Sequence, residues 1–147
     1  MSELFTLPRL ENYYFAMRHG HSQANEQSLI VSDPGLGVNS YGLSERGQRQ
    51  VLATLAQMPP GFDVGVKIVS SDFLRARETA AIVAAGLGVL EPVRFSEQLR
   101  ERFFGDLEGG SDTRYPEVWD RDAQNPRHSD FNVEPVFDVV RRTIALL

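Results

Sequence analysis

The sequence contains no cysteine among its 147 residues, which excludes disulfide bonds, thiolate catalysis and zinc sites built from cysteine. It is also short of positive charge: the formal net charge is -5, whereas nucleic acids and anionic membranes attract basic surfaces. No apolar run reaches the length of a membrane span, and residues 1–12 lack the apolar core of a secretory signal. We therefore expect a cytoplasmic protein that binds neither nucleic acid nor membrane, and whose anion sites depend on local groups of arginines.

The length and the composition describe one ordinary globular domain. Hydrophobic residues make up 41% of the chain and charged residues 24%, and neither repeats nor low-complexity tracts occur. A chain of this length can bury one sizeable core. We therefore expect a single domain over residues 1–147.

Apolar segments of strand character alternate with segments of helical periodicity along the chain. The strands are predicted at residues 14–17, 64–69 and 93–95. The helices are predicted from Ser44 to the turn at residues 59–61, from residues 70–72 to about Ala85, and from Pro135 onward. Between them, the turn-rich segment 28–41 is predicted to be an exposed loop. This alternation predicts an α/β fold, a three-layer sandwich with a mostly parallel sheet flanked by helices.

Polar side chains follow each predicted strand: Arg18 and His19 the first, Arg75 the second and Glu101 the third. The carboxyl ends of parallel strands lie at one edge of a sheet, so these residues can share one pocket. Arginine at two of these places suggests a phosphate, because a guanidinium group donates paired charge-assisted hydrogen bonds. A histidine there can act as nucleophile or proton carrier, and a glutamate as general acid. Arg77 is left out of the site because it can extend from its helix into solvent.

Four short motifs occur in order between residues 15 and 109. They are RHGHSQAN at residues 18–25, LSERGQ at 43–48, SSDFLRARETA at 70–80, and LRE followed by FGDLEG at 99–101 and 104–109. In this order they resemble the motifs of the histidine phosphatase superfamily, also called the phosphoglycerate mutase-like family. A lone Arg-His-Gly run would be a weak signal, whereas four ordered motifs are a specific one.

The resemblance implies a role for each of five residues. His19 would attack a phosphoryl group and become a phosphohistidine, and Glu101 would protonate the leaving oxygen and then activate water. Arg18, Arg75 and Asn25 would bind the phosphoryl oxygens. Fixed positive donors stabilise the charge that spreads over a transferring phosphoryl group without a metal. The implied partner is therefore a small-molecule phosphorylated substrate, and no cofactor is expected.

His21 and Ser22 are predicted to lie at the rim of the substrate pocket. The family commonly has glutamate or glutamine where this chain has His21, so the resemblance implies a different pocket polarity. A metal pair formed by His19 and His21 is conceivable, but zinc normally needs three or four protein ligands and no third is evident. We therefore predict no metal site.

A second histidine-glycine motif, which the family has after a later strand, does not occur in this sequence. The family places it beyond the helix that residues 135–147 resemble, so the resemblance implies a domain that is incomplete at its C-terminus. Three explanations stay open: a fragment of a longer chain, a truncated gene product of little activity, or one protomer of a homodimer completed by its partner.

The resemblance favours a metal-independent phosphatase that acts through His19. It favours hydrolysis over mutase chemistry because the segment after Glu101 is short and shows no clear set of basic residues for a second phosphate or carboxylate. Two alternatives stay open: phosphoglycerate mutase-type phosphoryl transfer, and a phosphate- or partner-binding protein with little or no turnover. For single residues, Glu101 could be a plain surface carboxylate, Tyr115 and Trp119 packing residues, and His128 a solvated loop residue.

Overall fold

The computed structural model describes residues 12–59, 61 and 65–146. The helices are α1 Gln23–Glu26, α2 Pro34–Gly37, α3 Glu45–Leu55, α4 Leu74–Leu87, α5 Tyr115–Gln124 and α6 Val136–Ile144. The strands are β1 Val69–Ser70 and β2 Arg94–Phe95, and short 3-10 turns occupy Glu97–Leu99, Gly105–Leu107, Asp112–Arg114 and Asp130–Asn132. None of the helices within these ranges has both the length and the apolar character that a membrane crossing requires.

The two strands pair in parallel, with α4 as the connection between them. Val69 is aligned with Arg94 and Ser70 with Phe95. The parallel pair joined by a helix confirms the α/β class predicted from the sequence. The strand predicted at 93–95 is confirmed, whereas the one predicted at 64–69 forms only at its end, and Val64 lies outside the described residues.

The strand predicted at residues 14–17 is wrong. The two-stranded sheet of the described residues does not include this segment, and its side chains are largely exposed, with Phe15 at 74% and Met17 at 43%. A run of apolar residues can favour an extended backbone, but a strand also needs a neighbouring backbone to complete its ladder. The sequence pattern does not specify that neighbour.

Helix α3 begins as its sequence predicts. The Ser44 hydroxyl accepts a hydrogen bond from the backbone N–H of Gly47 at 3.1 Å, which satisfies one of the free donors of the first turn. The apolar face of α3 packs against α4, where Val51 meets Leu43 and Val83 in a buried cluster. The backbone N–H of Ser44 donates to the His21 carbonyl oxygen at 3.0 Å, which places the start of α3 beside residues 18–21.

Helix α4 differs slightly from its predicted limits, whereas α6 begins where the sequence predicts. The Ser71 hydroxyl accepts from the backbone N–H of Phe73, but Phe73 itself occupies the N-cap position of α4 and makes no side-chain cap. The helix continues to Leu87 and ends at Gly88, whose φ of 66° is the left-handed conformation that glycine adopts without strain. Pro135 is the N-cap of α6, in line with its predicted place at the start of that helix.

The segment 28–41, predicted to be an exposed loop, is partly buried. Ile30 is 0% exposed and belongs to a second apolar cluster with Phe104, Leu107, Val118 and Val133. The neighbouring Ser32 is 2% exposed, and the Glu108 carboxylate accepts hydrogen bonds from its backbone N–H at 2.8 and 2.9 Å. Because Glu108 satisfies the backbone N–H of Ser32, this part of the segment can be buried.

Replacing Gly47 by alanine is expected to destabilise the protein, although alanine is the better helix former. A Cβ at Gly47 would overlap the carbonyl oxygen of His21, and one at Gly20 would come within 2.6 Å of the Gly47 carbonyl oxygen. We expect Gly47→Ala to lower the free energy of unfolding by about 1–3 kcal/mol, as overpacking does. Urea unfolding measures the change, and exposed Gln48→Ala on the same helix is the control. An unchanged or raised stability for Gly47→Ala would contradict this close approach.

Candidate active site

The hydrogen bonds of His19 assign its tautomer. Nδ1 lies 2.7 Å from the backbone carbonyl oxygen of Gly20, and a carbonyl oxygen can only accept, so Nδ1 carries the hydrogen. Nε2 lies 3.1 Å from Nε of Arg75, which donates to it. Nε2 is therefore the unprotonated nitrogen, with a lone pair directed towards the arginine.

The surroundings of His19 favour its neutral form. Burial of the ring lowers the pKa of His19, and the positive charges of Arg75 and Arg18 lower it further. The hydrogen bond to the Gly20 carbonyl and the negative charge of Glu101 act in the opposite direction without reversing the shift. A neutral imidazole with an unprotonated nitrogen is the form that can attack an electrophile.

The lowered pKa of His19 predicts that this side chain becomes protonated only at a pH below its ordinary pKa of 6.5. The ordinary pKa of 6.5 applies to the unfolded chain, so the folded protein resists protonation of His19 down to a lower pH. The stability that neutral His19 contributes is present above pH 6.5 and is lost as the pH falls towards the lowered pKa. We expect the ring resonance of His19 to titrate below 6.5 in an NMR titration, with His19→Gln identifying the signal. A midpoint at or above 6.5 would contradict the assigned environment.

Arg75 joins the segments that form the site. It lies in the first turn of α4, its side chain is buried, and Nη2 donates to the Val31 carbonyl oxygen at 3.0 Å. The same Nη2 lies 3.8 Å from Oε2 of Glu101, and the guanidinium carbon lies 4.9 Å from the centre of the Phe73 ring. One guanidinium group thus contacts both His19 and Glu101.

The remaining nitrogen of Arg75 has no partner. Nη1 is buried and makes no hydrogen bond, and it is the one such side-chain atom within the described ranges. Burial lowers the pKa of Arg75, and the nearby Glu101 carboxylate counteracts that effect. A buried donor without an acceptor is costly unless an anion completes it. Nη1 is therefore an unsatisfied donor of the same guanidinium group that contacts His19 and Glu101.

Glu101 faces Arg75 while its two neighbours point elsewhere. Arg100 makes a bidentate pair with Asp72 at 2.9 and 2.5 Å, and Arg102 makes another with Asp122 at 2.7 and 2.9 Å. The pair with Arg100 lowers the pKa of Asp72. The side chains thus alternate along this extended segment, and of the three only Glu101 faces Arg75, with its side chain 40% exposed.

The other predicted site residues have mixed positions. Arg18 is exposed, and its charge acts on His19. Asn25 completes a capping box at α1, because its Oδ1 accepts from the backbone N–H and the hydroxyl of Ser22 at 3.0 Å each. His21 bonds through Nδ1 to the Ser44 hydroxyl at 3.0 Å. Ser22 is 1% exposed, so its predicted place at the substrate rim is wrong: its hydroxyl is used in the cap.

Some contacts of the site carry no signal in the sequence. The Val31 carbonyl that holds Arg75 is a backbone group, which no residue pattern indicates.

His128, expected in a solvated loop, is 8% exposed and lies 2.8 Å from Oδ1 of Asp122, while its Nδ1 accepts from the Asp130 N–H. Across the described ranges, no three His, Cys, Asp or Glu side chains are grouped so that they could hold a metal ion.

Comparison with known proteins gives the family to which this geometry belongs. The family model of the histidine phosphatase superfamily (branch 1) matches residues 14–147, almost the whole chain. The chain belongs to this superfamily. The resemblance inferred from the four motifs is therefore confirmed, and so is the phosphoglycerate mutase-like fold that it implied.

Relatives of this superfamily member include both phosphatase and mutase-like names. Phosphoglycerate mutase-like protein 4 from Arabidopsis thaliana is 36% identical over 93 residues, which are 63% of this chain and 37% of that protein. A mycobacterial glucosyl-3-phosphoglycerate phosphatase, solved as a complex with VO3, has a TM-score of 0.68 at 28% identity and covers 87% of this chain. A second solved structure, mycobacterial hydrolase 1, has a TM-score of 0.67 at 28% identity, also over 87% of this chain. This chain spans 61% and 59% of those two structures.

Proposed function

We propose that this superfamily member is a metal-independent phosphatase that acts through a phosphohistidine on a small phosphorylated substrate. The observation that carries the proposal is Arg75, whose Nε contacts Nε2 of His19 while its Nη2 lies 3.8 Å from Oε2 of Glu101. A phosphoryl group on Nε2 of His19 would lie against the nitrogen of Arg75 that now donates to that atom. The same arginine would then orient the phosphorus in front of the histidine lone pair.

In the first step, Nε2 of His19 attacks phosphorus, a P–N bond forms and the bond to the leaving oxygen breaks. Glu101 gives its proton to that oxygen, so the leaving group departs as a neutral alcohol. Arg75 and Arg18 stabilise the negative charge on the phosphoryl oxygens. The hydrogen bond from Nδ1–H to the Gly20 carbonyl stabilises the positive charge that the ring gains.

In the second step, the Glu101 carboxylate takes a proton from a water molecule that attacks the phosphohistidine. The P–N bond breaks, inorganic phosphate forms, and neutral His19 and protonated Glu101 are restored. The position of Glu101, 3.8 Å from Arg75 and partly exposed, supports this role because both water and a leaving group can reach it. Both steps balance without any further reactant.

The substrate class rests on the relatives. One similar structure is named for its action on glucosyl-3-phosphoglycerate, which is a small phosphorylated molecule. We propose a substrate of the same general class, bound through its phosphoryl group, with its leaving group on the side of Glu101.

Trapping the intermediate tests the proposal. We expect mass spectrometry of protein mixed with a slow phosphomonoester and quenched in base to find one phosphoryl group on His19, because phosphohistidine survives base and hydrolyses in acid. Phosphate release without any labelled histidine would contradict the covalent mechanism, and the absence of both phosphate release and label would contradict the phosphatase proposal.

Phosphoryl transfer to a second hydroxyl is a candidate supported by the mutase-like plant relative. It would use the same phosphohistidine, with an acceptor alcohol in place of water. The ratio of transferred to released phosphate with added phosphoglycerate separates the two, and hydrolysis is expected to dominate.

A further inference from the structure

We propose that Arg142 of α6 is a positioning residue for Glu101, a role that rests on the proposed function of that glutamate. Arg142 touches neither His19 nor Arg75 in its hydrogen bonds. It binds the backbone on which Glu101 stands, and it thereby sets where the carboxyl group meets the leaving oxygen.

The guanidinium group of Arg142 donates to three backbone carbonyls around Glu101. Nη1 donates to the Gln98 oxygen at 2.5 Å, and Nη2 to the Arg100 oxygen at 2.9 Å, with a longer contact of 3.4 Å to the Glu101 oxygen. These carbonyls lie at the end of the 3-10 turn Glu97–Leu99, where the helical backbone leaves its acceptors free. Arg142 thus donates hydrogen bonds to carbonyl oxygens that would otherwise need water as their donor.

Glu134 fixes the orientation of Arg142. Its carboxylate accepts from Nε of Arg142 at 2.7 Å and from Nη2 at 3.1 Å, and both side chains are 21% exposed. The bidentate geometry leaves the guanidinium plane little freedom. Arg142 therefore acts as a rigid bracket between α6 and the segment of Glu101.

Two neighbouring pairs hold the same segment from its other sides. Arg100 is bound to Asp72, just before α4, and Nε of Arg102 donates to the Glu134 carbonyl oxygen at 2.6 Å. The side chains before and after Glu101 are thus anchored, while that of Glu101 is left to face Arg75. A displacement of about 1 Å at a reacting group can lower a rate about a hundredfold, so such anchoring has a direct effect on proton transfer.

Two phosphate esters with different leaving groups show whether Arg142 positions Glu101 or only supports the fold. Ethyl phosphate needs a proton on its leaving oxygen, whereas dinitrophenyl phosphate releases a stable anion and needs none. We expect Arg142→Gln to lower kcat/KM for ethyl phosphate by about tenfold or more beyond its effect on dinitrophenyl phosphate, because general acid catalysis is lost selectively. Equal losses for both substrates would overturn the proposal.

The chain offers a matched control at the preceding residue. Arg141 is on the same helix, its side chain is 69% exposed, and it pairs with Asp138 at 2.8 Å. Arg141→Gln removes the same charge and is expected to leave both substrates unaffected. Glu134→Gln weakens the bracket with little change of shape, and it is expected to reproduce the selective loss should Arg142→Gln fail to fold.

Amide hydrogen exchange tests the bracket without reference to catalysis. We expect residues 98–104 to exchange at least about tenfold faster in Arg142→Gln than in Arg141→Gln, because carbonyls that lose a donor hold the segment less firmly. If the unaltered protein hydrolyses neither phosphate ester, the proposed function fails while the exchange still reports on the bracket. Equal exchange in the two variants would overturn the positioning role itself.

Discussion

His19→Ala is expected to abolish the covalent intermediate and to lower kcat/KM by a thousandfold or more, on the order seen when a nucleophile is removed from an enzyme. The reason is that Nε2 is the unprotonated nitrogen of a ring held by two hydrogen bonds, and no other described side chain contacts Arg75 with a nitrogen lone pair. Steady-state phosphate release and mass spectrometry of the quenched protein measure the two effects.

Imidazole rescue is the control for His19→Ala. The substitution removes a half-buried ring, and added imidazole can occupy the vacated space beside Arg75. Partial recovery of phosphate release with imidazole would locate the loss in chemistry rather than in folding, and equal melting temperatures would support the same conclusion. Unchanged turnover in His19→Ala would contradict nucleophilic catalysis by this residue.

Arg75→Met is expected to lower kcat/KM by about a hundredfold to a thousandfold, the range found when one transition-state donor is removed. Methionine keeps much of the buried volume but has no donor for the phosphoryl group. The substitution also leaves the buried Val31 carbonyl oxygen without its donor, so we expect it to lower the free energy of unfolding by about 1–3 kcal/mol. Phosphate release and thermal unfolding check the two parts.

Arg77→Met provides the matched control on the same helix. Arg77 is exposed and lies over the Phe95 ring, with 5.8 Å between its guanidinium carbon and the ring centre. Its substitution is expected to leave kcat/KM unchanged. Equal losses in Arg75→Met and Arg77→Met would mean that positive charge on α4, rather than the fork of Arg75, supports activity.

The local parts of the fold follow from the sequence. The Ser44 cap, the helical spacing of α3 and the glycine end of α4 depend on contacts within a few residues, which a pattern of residue types can express. The proximity of Arg75 and Glu101 was also predictable, because they follow β1 and β2, whose ends meet at one edge. His19 follows no strand of the described residues, so the strand argument does not explain its place beside Arg75. The failed strand at 14–17 shows the limit of such reasoning, since a ladder needs a second backbone.

The details of the site depend on distant segments. The Gly20 carbonyl selects the tautomer of His19, and the Val31 carbonyl turns Arg75 so that one nitrogen is left without an acceptor. Asn25 and Ser22 form hydrogen bonds to each other in the cap of α1. The sequence instead predicted phosphate binding for Asn25 and a place at the substrate rim for Ser22. Backbone carbonyls have no residue identity, so these interactions leave no motif.

The sequence by itself determined the family, the α/β class and the residues suited to phosphoryl chemistry, because these depend on residue types and their order. Only the tertiary structure decided which nitrogen of His19 is unprotonated, which nitrogen of Arg75 lacks a partner, and that Arg142 holds the backbone of Glu101. The physical reason is that hydrogen bonds across the fold are selected by distance and burial. Those quantities exist only once the segments have packed together.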